Sequence, residues 1–194
     1  MDFLKRSIHF AAVTFWTVYG GMYICLSLWN RSGLLQVIMG VNTLLFGYFL
    51  LVRRKGEPSP YPWVVQGMIL GSIFLGNFYK FDRPVPLVGT VIGILGSLVS
   101  LWALVSLGKS FGITPANRGL VTRGPYRFVR HPMYFGYLLV DIPMLIWNAS
   151  PWNWMIFCVK LIGFVIRILL EERVVSDYSA YKQKIRWRLI PLIW

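Results

Sequence analysis

Charge is scarce in this sequence, and acidic charge most of all. Aspartate and glutamate number 7 among 194 residues, against 20 lysines and arginines. Charged residues make up 14% of the chain, where soluble domains carry roughly 25%. That shortage excludes an ordinary water-soluble domain. Cysteine and histidine are equally thin, at 2 each. Cys25 and Cys158 both lie inside apolar segments, so they are expected to pack as hydrophobes rather than form a disulfide or a metal site. No internal repeat or low-complexity stretch appears. No small-residue cleavage site follows the first apolar run, about Ile8 to Trp29, which is too long for a signal-peptide core and reads as a first span.

What the chain has in abundance is apolar and aromatic surface: 56% hydrophobic residues, with 9 Trp, 13 Phe and 10 Tyr. A spanning helix needs about 20 mostly apolar residues to cross a hydrocarbon core about 30 Å thick. Six stretches are predicted to do so, roughly Ile8 to Trp29, Leu34 to Val52, Trp63 to Phe78, Val85 to Leu107, Met133 to Trp147 and Trp154 to Leu170. The expected fold is all-α, a polytopic integral membrane bundle of about six helices. Paired, interrupted spans of the kind transporters use are absent from this pattern.

In a soluble protein a net charge of +13 would point to nucleic acid, but no nucleic-acid motif accompanies it. Here the basic residues gather in alternate loops, as the positive-inside rule requires. Lys5 and Arg6, then Arg53, Arg54 and Lys55, then the loop carrying Lys109, Arg118, Arg123, Arg127 and Arg130, then the tail after span six, all fall on one side. Both termini are therefore expected in the cytoplasm, with Trp147, Trp152 and Trp154 in the outer aromatic belt. The turn RRKGEPSPYP, with three prolines, suggests a break between an N-terminal helix pair and the remainder. Lipid is the expected surrounding, with no nucleic acid and no obligate protein partner.

The chemistry concentrates in the second half. Between spans four and five runs GKSFGITPANRGLVTRGPYRFVRHP, long enough to suggest function, with bends expected at Gly119 and Gly124–Pro125. Pro132 suits the first position of the following helix and His131 its cap, where free N–H groups favour an anion. Arg127 and Arg130 add positive charge there. Two readings stand: this cluster meets lipid phosphates, or it lines an anion-binding mouth. Span six carries Lys160, Arg167 and Glu171, separated by seven and four residues and so near one helical face, with Glu172 about 100° away. Arg167 and Glu171 read either as a self-neutralising i, i+4 pair or as the lining of a cleft, and Arg167 could also snorkel. Asp141 and Lys160 lie nine residues before and ten after Ser150, which puts them at similar depth across a hairpin. A buried ion pair between them is expected, because a lone charge at that depth is costly.

The order GLVTRGPYRFVRHPMYFGYLL, an apolar hairpin, R-x-x-x-E-E and a tail ending RLIPLIW resembles the isoprenylcysteine carboxyl methyltransferase family. It is also similar to the related membrane phospholipid N-methyltransferases. The resemblance covers about residues 84 to 194. It implies a multi-pass membrane enzyme that uses S-adenosylmethionine, releases S-adenosylhomocysteine, and opens its site to the cytoplasm beneath a lid formed by the loop and tail. It further implies that His131 and Tyr134 contact the cofactor, that Glu171 and Glu172 hold its amino-acid part or ribose, that Arg167 faces the methyl acceptor, and that Arg188 closes the lid.

The residues suit such a cofactor on chemical grounds. Its carboxylate fits the helix mouth at Arg130, His131 and Pro132, its ammonium fits a glutamate, and its sulfonium fits the face of Tyr134 or Tyr126. An acceptor carboxylate would need no general base and could be oriented by Arg167. An amine or thiol would need one, a task open to Glu171 if burial raised its pKa. The acceptor is expected to be lipophilic and to enter from the bilayer: a prenylcysteine-like carboxylate, a phospholipid or a small hydrophobic molecule. The competing reading is a non-catalytic membrane module on the same scaffold.

Overall fold

The computed structural model describes residues 10, 13–22, 24–25, 34–57, 61, 71, 75–112, 115–190 and 193–194. Among these, the protein is helical with no β-strand. The helices are α1 (13–22), α2 (Leu34–Val52), α3 (Leu87–Leu107), α4 (Pro132–Trp147), α5 (Pro151–Val174) and α6 (Tyr178–Lys184). Helices α2, α3 and α5 are long and apolar enough to cross a membrane, and α4 is apolar over 16 residues.

The predicted spans at Leu34–Val52, Val85–Leu107 and Met133–Trp147 match α2, α3 and α4 to within two residues. Helix α5 outruns its predicted bounds at both ends. Ser150 caps it, accepting from the Asn153 N–H at 3.1 Å, and Pro151 starts the first turn. At about 1.5 Å per residue, its 24 residues are long enough to cross a core of about 30 Å. The third predicted span lies mostly outside the described residues, of which 75–78 form a single 3₁₀ turn.

Small residues set the bundle's geometry. A Cβ built on Gly96 of α3 would lie 2.6 Å from the carbonyl oxygen of Gly136 on α4, and one on Gly136 would lie 2.6 Å from that of Gly96. Without hydrophobic drive between helices in lipid, such close backbone approach supplies the packing. Gly136→Ala is therefore expected to destabilise the protein by about 1–3 kcal/mol, the usual cost of overpacking. Its thermal midpoint in detergent should fall clearly below the native value. Helix α2 joins α3 through a polar tie, with Asn42 Nδ2 donating to Ser100 Oγ at 2.6 Å.

The far end of the bundle is held by two buried asparagines. Asn148 Oδ1 accepts from the Asp82 and Arg83 N–H groups at 3.0 and 2.9 Å, and Asn153 Nδ2 donates to the Lys80 carbonyl at 2.8 Å. These bonds fasten the 80–83 segment onto the α4–α5 hairpin. Trp152 and Trp154 are exposed there, while Trp147 is half-buried against Gly89. The expected ion pair is present, with Lys160 Nζ 2.7 Å from Asp141 Oδ2 and both residues buried. The ammonium also lies 5.8 Å from the Tyr79 ring centre and 5.7 Å from that of Phe164. Cys25 and Cys158 are unbridged but sit on the exposed outer surface of their helices, not in the core. A thiol is apolar enough to face lipid without penalty.

Two apolar cores result. One gathers Trp16, Phe46, Leu104, Phe111, Tyr126 and Met133; the other gathers Tyr134, Leu138, Phe164, Ile168 and Leu189. Met133 and Tyr134 are consecutive on α4 and so point about 100° apart. The first turn of α4 is thus a wall shared by both cores.

Candidate active site

The long loop folds back onto the bundle because three glycines take left-handed backbone conformations: Gly108, Gly119 and Gly124, at φ 51°, 91° and 61°. The two expected bends are among them. At Gly124 the space is also limiting, since a Cβ would overlap the Ser106 hydroxyl. The 3₁₀ turn Gly124–Arg127 then buries Tyr126, whose carbonyl accepts from the Tyr181 hydroxyl at 2.5 Å. Pro132 opens α4, with His131 at the cap position as expected.

The helix mouth differs from its sequence expectation in one respect. The backbone N–H groups of Arg130 and His131 are not free for an anion. They donate to the Trp187 and Arg188 carbonyls at 2.9 and 2.8 Å, because the C-terminal segment runs alongside in an extended conformation. The imidazole reaches the acids of α5 instead, with Nδ1 3.7 Å from Glu171 Oε2 and Nε2 3.4 Å from Glu172 Oε1.

The two glutamates diverge, as a 100° step requires. Glu172 is enclosed: Arg130 Nη1 donates to it at 2.9 Å, Arg188 Nε at 3.2 Å and the Tyr178 hydroxyl at 3.2 Å. It ties the start of α4, the end of α5, α6 and the tail into one node, and it is not among the residues lining the cleft. Glu171 points into that cleft with its side chain 25% exposed, accepting from Arg167 Nε at 2.8 Å and from the Tyr134 hydroxyl at 3.3 Å. Arg167 is buried, donates from Nη2 to the Gly112 carbonyl at 2.7 Å, and lies 5.8 Å from the Tyr134 ring centre. The two readings of the Arg167–Glu171 spacing therefore hold together: the pair is intrahelical and lines the cleft.

The cleft holds a cavity of about 110 Å³. The loop contributes Gly112, Arg118 and Tyr126; α4 and α5 contribute Met133, Tyr134, Arg167 and Glu171; α6 contributes Tyr178 and Tyr181. Arg130 and His131 complete it, and Glu171 is its sole acidic lining residue. Burial pushes the phenol pKa values of Tyr126, Tyr178 and Tyr181 up, so these rings are neutral walls at physiological pH. Among the described residues no group of histidine, cysteine and acidic side chains could hold a metal ion.

Arg118, Gly112, Tyr178 and Tyr181 carried no mark in the sequence that set them apart. Arg118 is brought in by tertiary folding alone. A Cβ on Gly112 would lie 2.5 Å from its guanidinium, so only glycine lets that side chain lie across the loop. Burial, then the nearby charges of Arg53 and Arg167, pull the Arg118 pKa down to about 10. It stays cationic at neutral pH. Arg188 lines a second hollow rather than the cleft, and Arg130 borders both.

Comparison with known proteins places this geometry in context. The family model described as phospholipid methyltransferase matches residues 85–183, 99 of the 194 and just over half the chain. That segment contains every residue bordering the cleft. Protein-S-isoprenylcysteine O-methyltransferase A of Arabidopsis thaliana is 29% identical over 96 residues, covering 46% of this chain and 49% of the relative. A probable protein-S-isoprenylcysteine O-methyltransferase of Oryza sativa subsp. indica is 30% identical over 109 residues, covering 50% of this chain and 57% of the relative. The chain thus spans about half the length of the curated relatives it matches. With the model match covering the loop, the α4 mouth and the acidic end of α5 together, this integral membrane protein belongs to the phospholipid methyltransferase family.

Proposed function

We propose that this protein transfers a methyl group from S-adenosylmethionine to the carboxylate of a lipophilic acceptor that reaches the cleft from the bilayer. The observation that carries this reading is one partly exposed carboxylate, Glu171, facing a cleft that also holds the Arg118 and Arg167 guanidiniums and a set of neutral tyrosine faces. The donor set fits the cofactor. Glu171 suits the cofactor's ammonium, and the Tyr134 and Tyr126 rings suit a sulfonium. When bound, S-adenosylmethionine supplies an electrophilic methyl group. His131, Tyr126, Tyr134 and Glu171 hold it, while Glu172 and Arg130 act as positioning residues that fix the imidazole and the tail.

Arg167 and Arg118 orient the acceptor carboxylate, which is ionised at neutral pH and needs no base. Alignment and exclusion of water then supply much of the rate. The basic loops favour a cleft that opens on the cytoplasmic side, and in this reading residues 1–83 serve as accessory helices around the core. The names of the Arabidopsis and rice relatives favour a prenylcysteine-like acceptor. The description of the matched family favours a second reading, a phospholipid amine, for which Glu171 would accept the proton.

Labelled methyl transfer to a prenylated cysteine, to the same compound with its carboxyl amidated, and to phosphatidylethanolamine separates the two. The expected result is turnover of the first alone. In the same assay Arg118→Gln should raise the acceptor KM about tenfold to a hundredfold, the value of about 1.5–3 kcal/mol for a charge-assisted hydrogen bond, with cofactor affinity little changed. Purified protein that binds no S-adenosylmethionine in a calorimeter would instead make the chain a non-catalytic module.

A further inference from the structure

A second hollow, of about 340 Å³, opens beside the cleft between α6 and the C-terminal segment. Its charged lining is Arg130, Lys182, Arg186 and Arg188, and none of its lining residues is acidic. Trp187, Trp194 and Ile193 form the apolar remainder. A single carboxylate at its back, Glu172, answers these four cations through Arg130 and Arg188. Three positive charges are left in excess.

Arg130 shows where that excess is directed. Its side chain is buried, with residue exposure of 5%. Nη1 donates to Glu172 at 2.9 Å and Nη2 to the Arg186 carbonyl at 3.3 Å, but Nε has no hydrogen-bond partner among the described residues. A buried guanidinium donor without an acceptor is costly, and an anion entering the hollow that Arg130 borders relieves it. Arg188 is preset in the same wall, its guanidinium 5.3 Å from the Trp194 ring centre. Guanidinium forks match the oxygens of a phosphate, which can accept from several donors at once. The rim suits an amphiphile: Trp187 is 39% exposed and Ile193 77% exposed, directly beside the charge. Tryptophan with arginine and lysine is the composition of a membrane interface, and basic hollows there take lipid headgroups.

We propose that this hollow binds a phosphate-ester anion, carried by an anionic membrane lipid, at a site separate from the cleft. The segment that forms it is the one whose Trp187 and Arg188 carbonyls hold the N–H groups of Arg130 and His131. An occupant bridging Arg130 to Lys182 and Arg186 therefore fastens the tail against the α4 mouth. The inference does not depend on methyl transfer.

The test is lipid retention by native mass spectrometry of the full chain in detergent, titrated with phosphatidylglycerol or phosphatidylcholine. A variant carrying Lys182→Gln and Arg186→Gln removes two exposed cations of the hollow and leaves the cleft residues in place. The native protein should hold one phosphatidylglycerol at least tenfold more tightly than phosphatidylcholine, and the variant should lose on the order of tenfold, two interfacial cations being worth about 1 kcal/mol each. Glycerol 3-phosphate provides the soluble arm. Displacement of phosphatidylglycerol only at far higher concentration supports the lipid source, and displacement at equal concentration overturns it in favour of a free phosphate ester. Equal retention of the two lipids, or unchanged retention in the variant, overturns the site.

Discussion

Glu171→Gln should lower the affinity for S-adenosylmethionine on the order of a hundredfold, within the range of about 2–5 kcal/mol for truncating one partner of a buried charge pair. The reason is its singularity: among the described residues no other acidic side chain lines the cleft. Glutamine keeps an oxygen for Arg167 Nε and the Tyr134 hydroxyl, so the shape of the site survives while its negative charge is lost. Calorimetric binding isolates this loss from turnover. Glu172→Gln provides the contrast, because Glu172 faces Arg130, Arg188 and Tyr178 rather than the cleft. Its loss should appear first as a lower thermal midpoint and easier proteolysis of the tail. Native affinity in the Glu171 variant would refute its assigned role.

The second large effect is on stability. Lys160→Met should cost about 3–5 kcal/mol, the penalty for leaving one member of a buried ion pair alone. The surroundings offer the stranded Asp141 carboxylate little relief, since both residues are buried between α4 and α5. Asp141→Asn strands the ammonium instead, against the Tyr79 and Phe164 rings. Replacing both, as Asp141→Leu with Lys160→Met, should recover most of the loss, because two apolar side chains carry no desolvation cost. Thermal unfolding in one detergent measures all four proteins. A double variant no more stable than Lys160→Met alone would mean the two charges do not act as a pair.

Much of the candidate site was legible at the level of spacing. The i, i+4 relation of Arg167 to Glu171 and the 100° step to Glu172 are properties of any helix. The near-equal distances of Asp141 and Lys160 from Ser150, nine and ten residues, placed that pair before any coordinates did. The loop was harder to read, because side-chain positions there follow no period. Nothing in GKSFGITPANRG distinguishes Arg118 from Lys109, yet one lines the cleft and the other does not. The tail was equally opaque: its extended run past Arg130 and His131 occupies N–H groups that a helix N-terminus viewed alone leaves open.

The sequence by itself determined that the chain lives in a bilayer, where α2 to α5 lie, and which ionisable groups share a helical face, because hydropathy and the 3.6-residue period are local properties. Tertiary structure alone decided which glutamate faces the cleft and which is sealed behind it, which loop arginine joins them, and where the tail seats. Those choices depend on groups far apart in the chain meeting across glycine contacts, such as Gly96 with Gly136 and Gly112 with Arg118, whose distances no local pattern encodes.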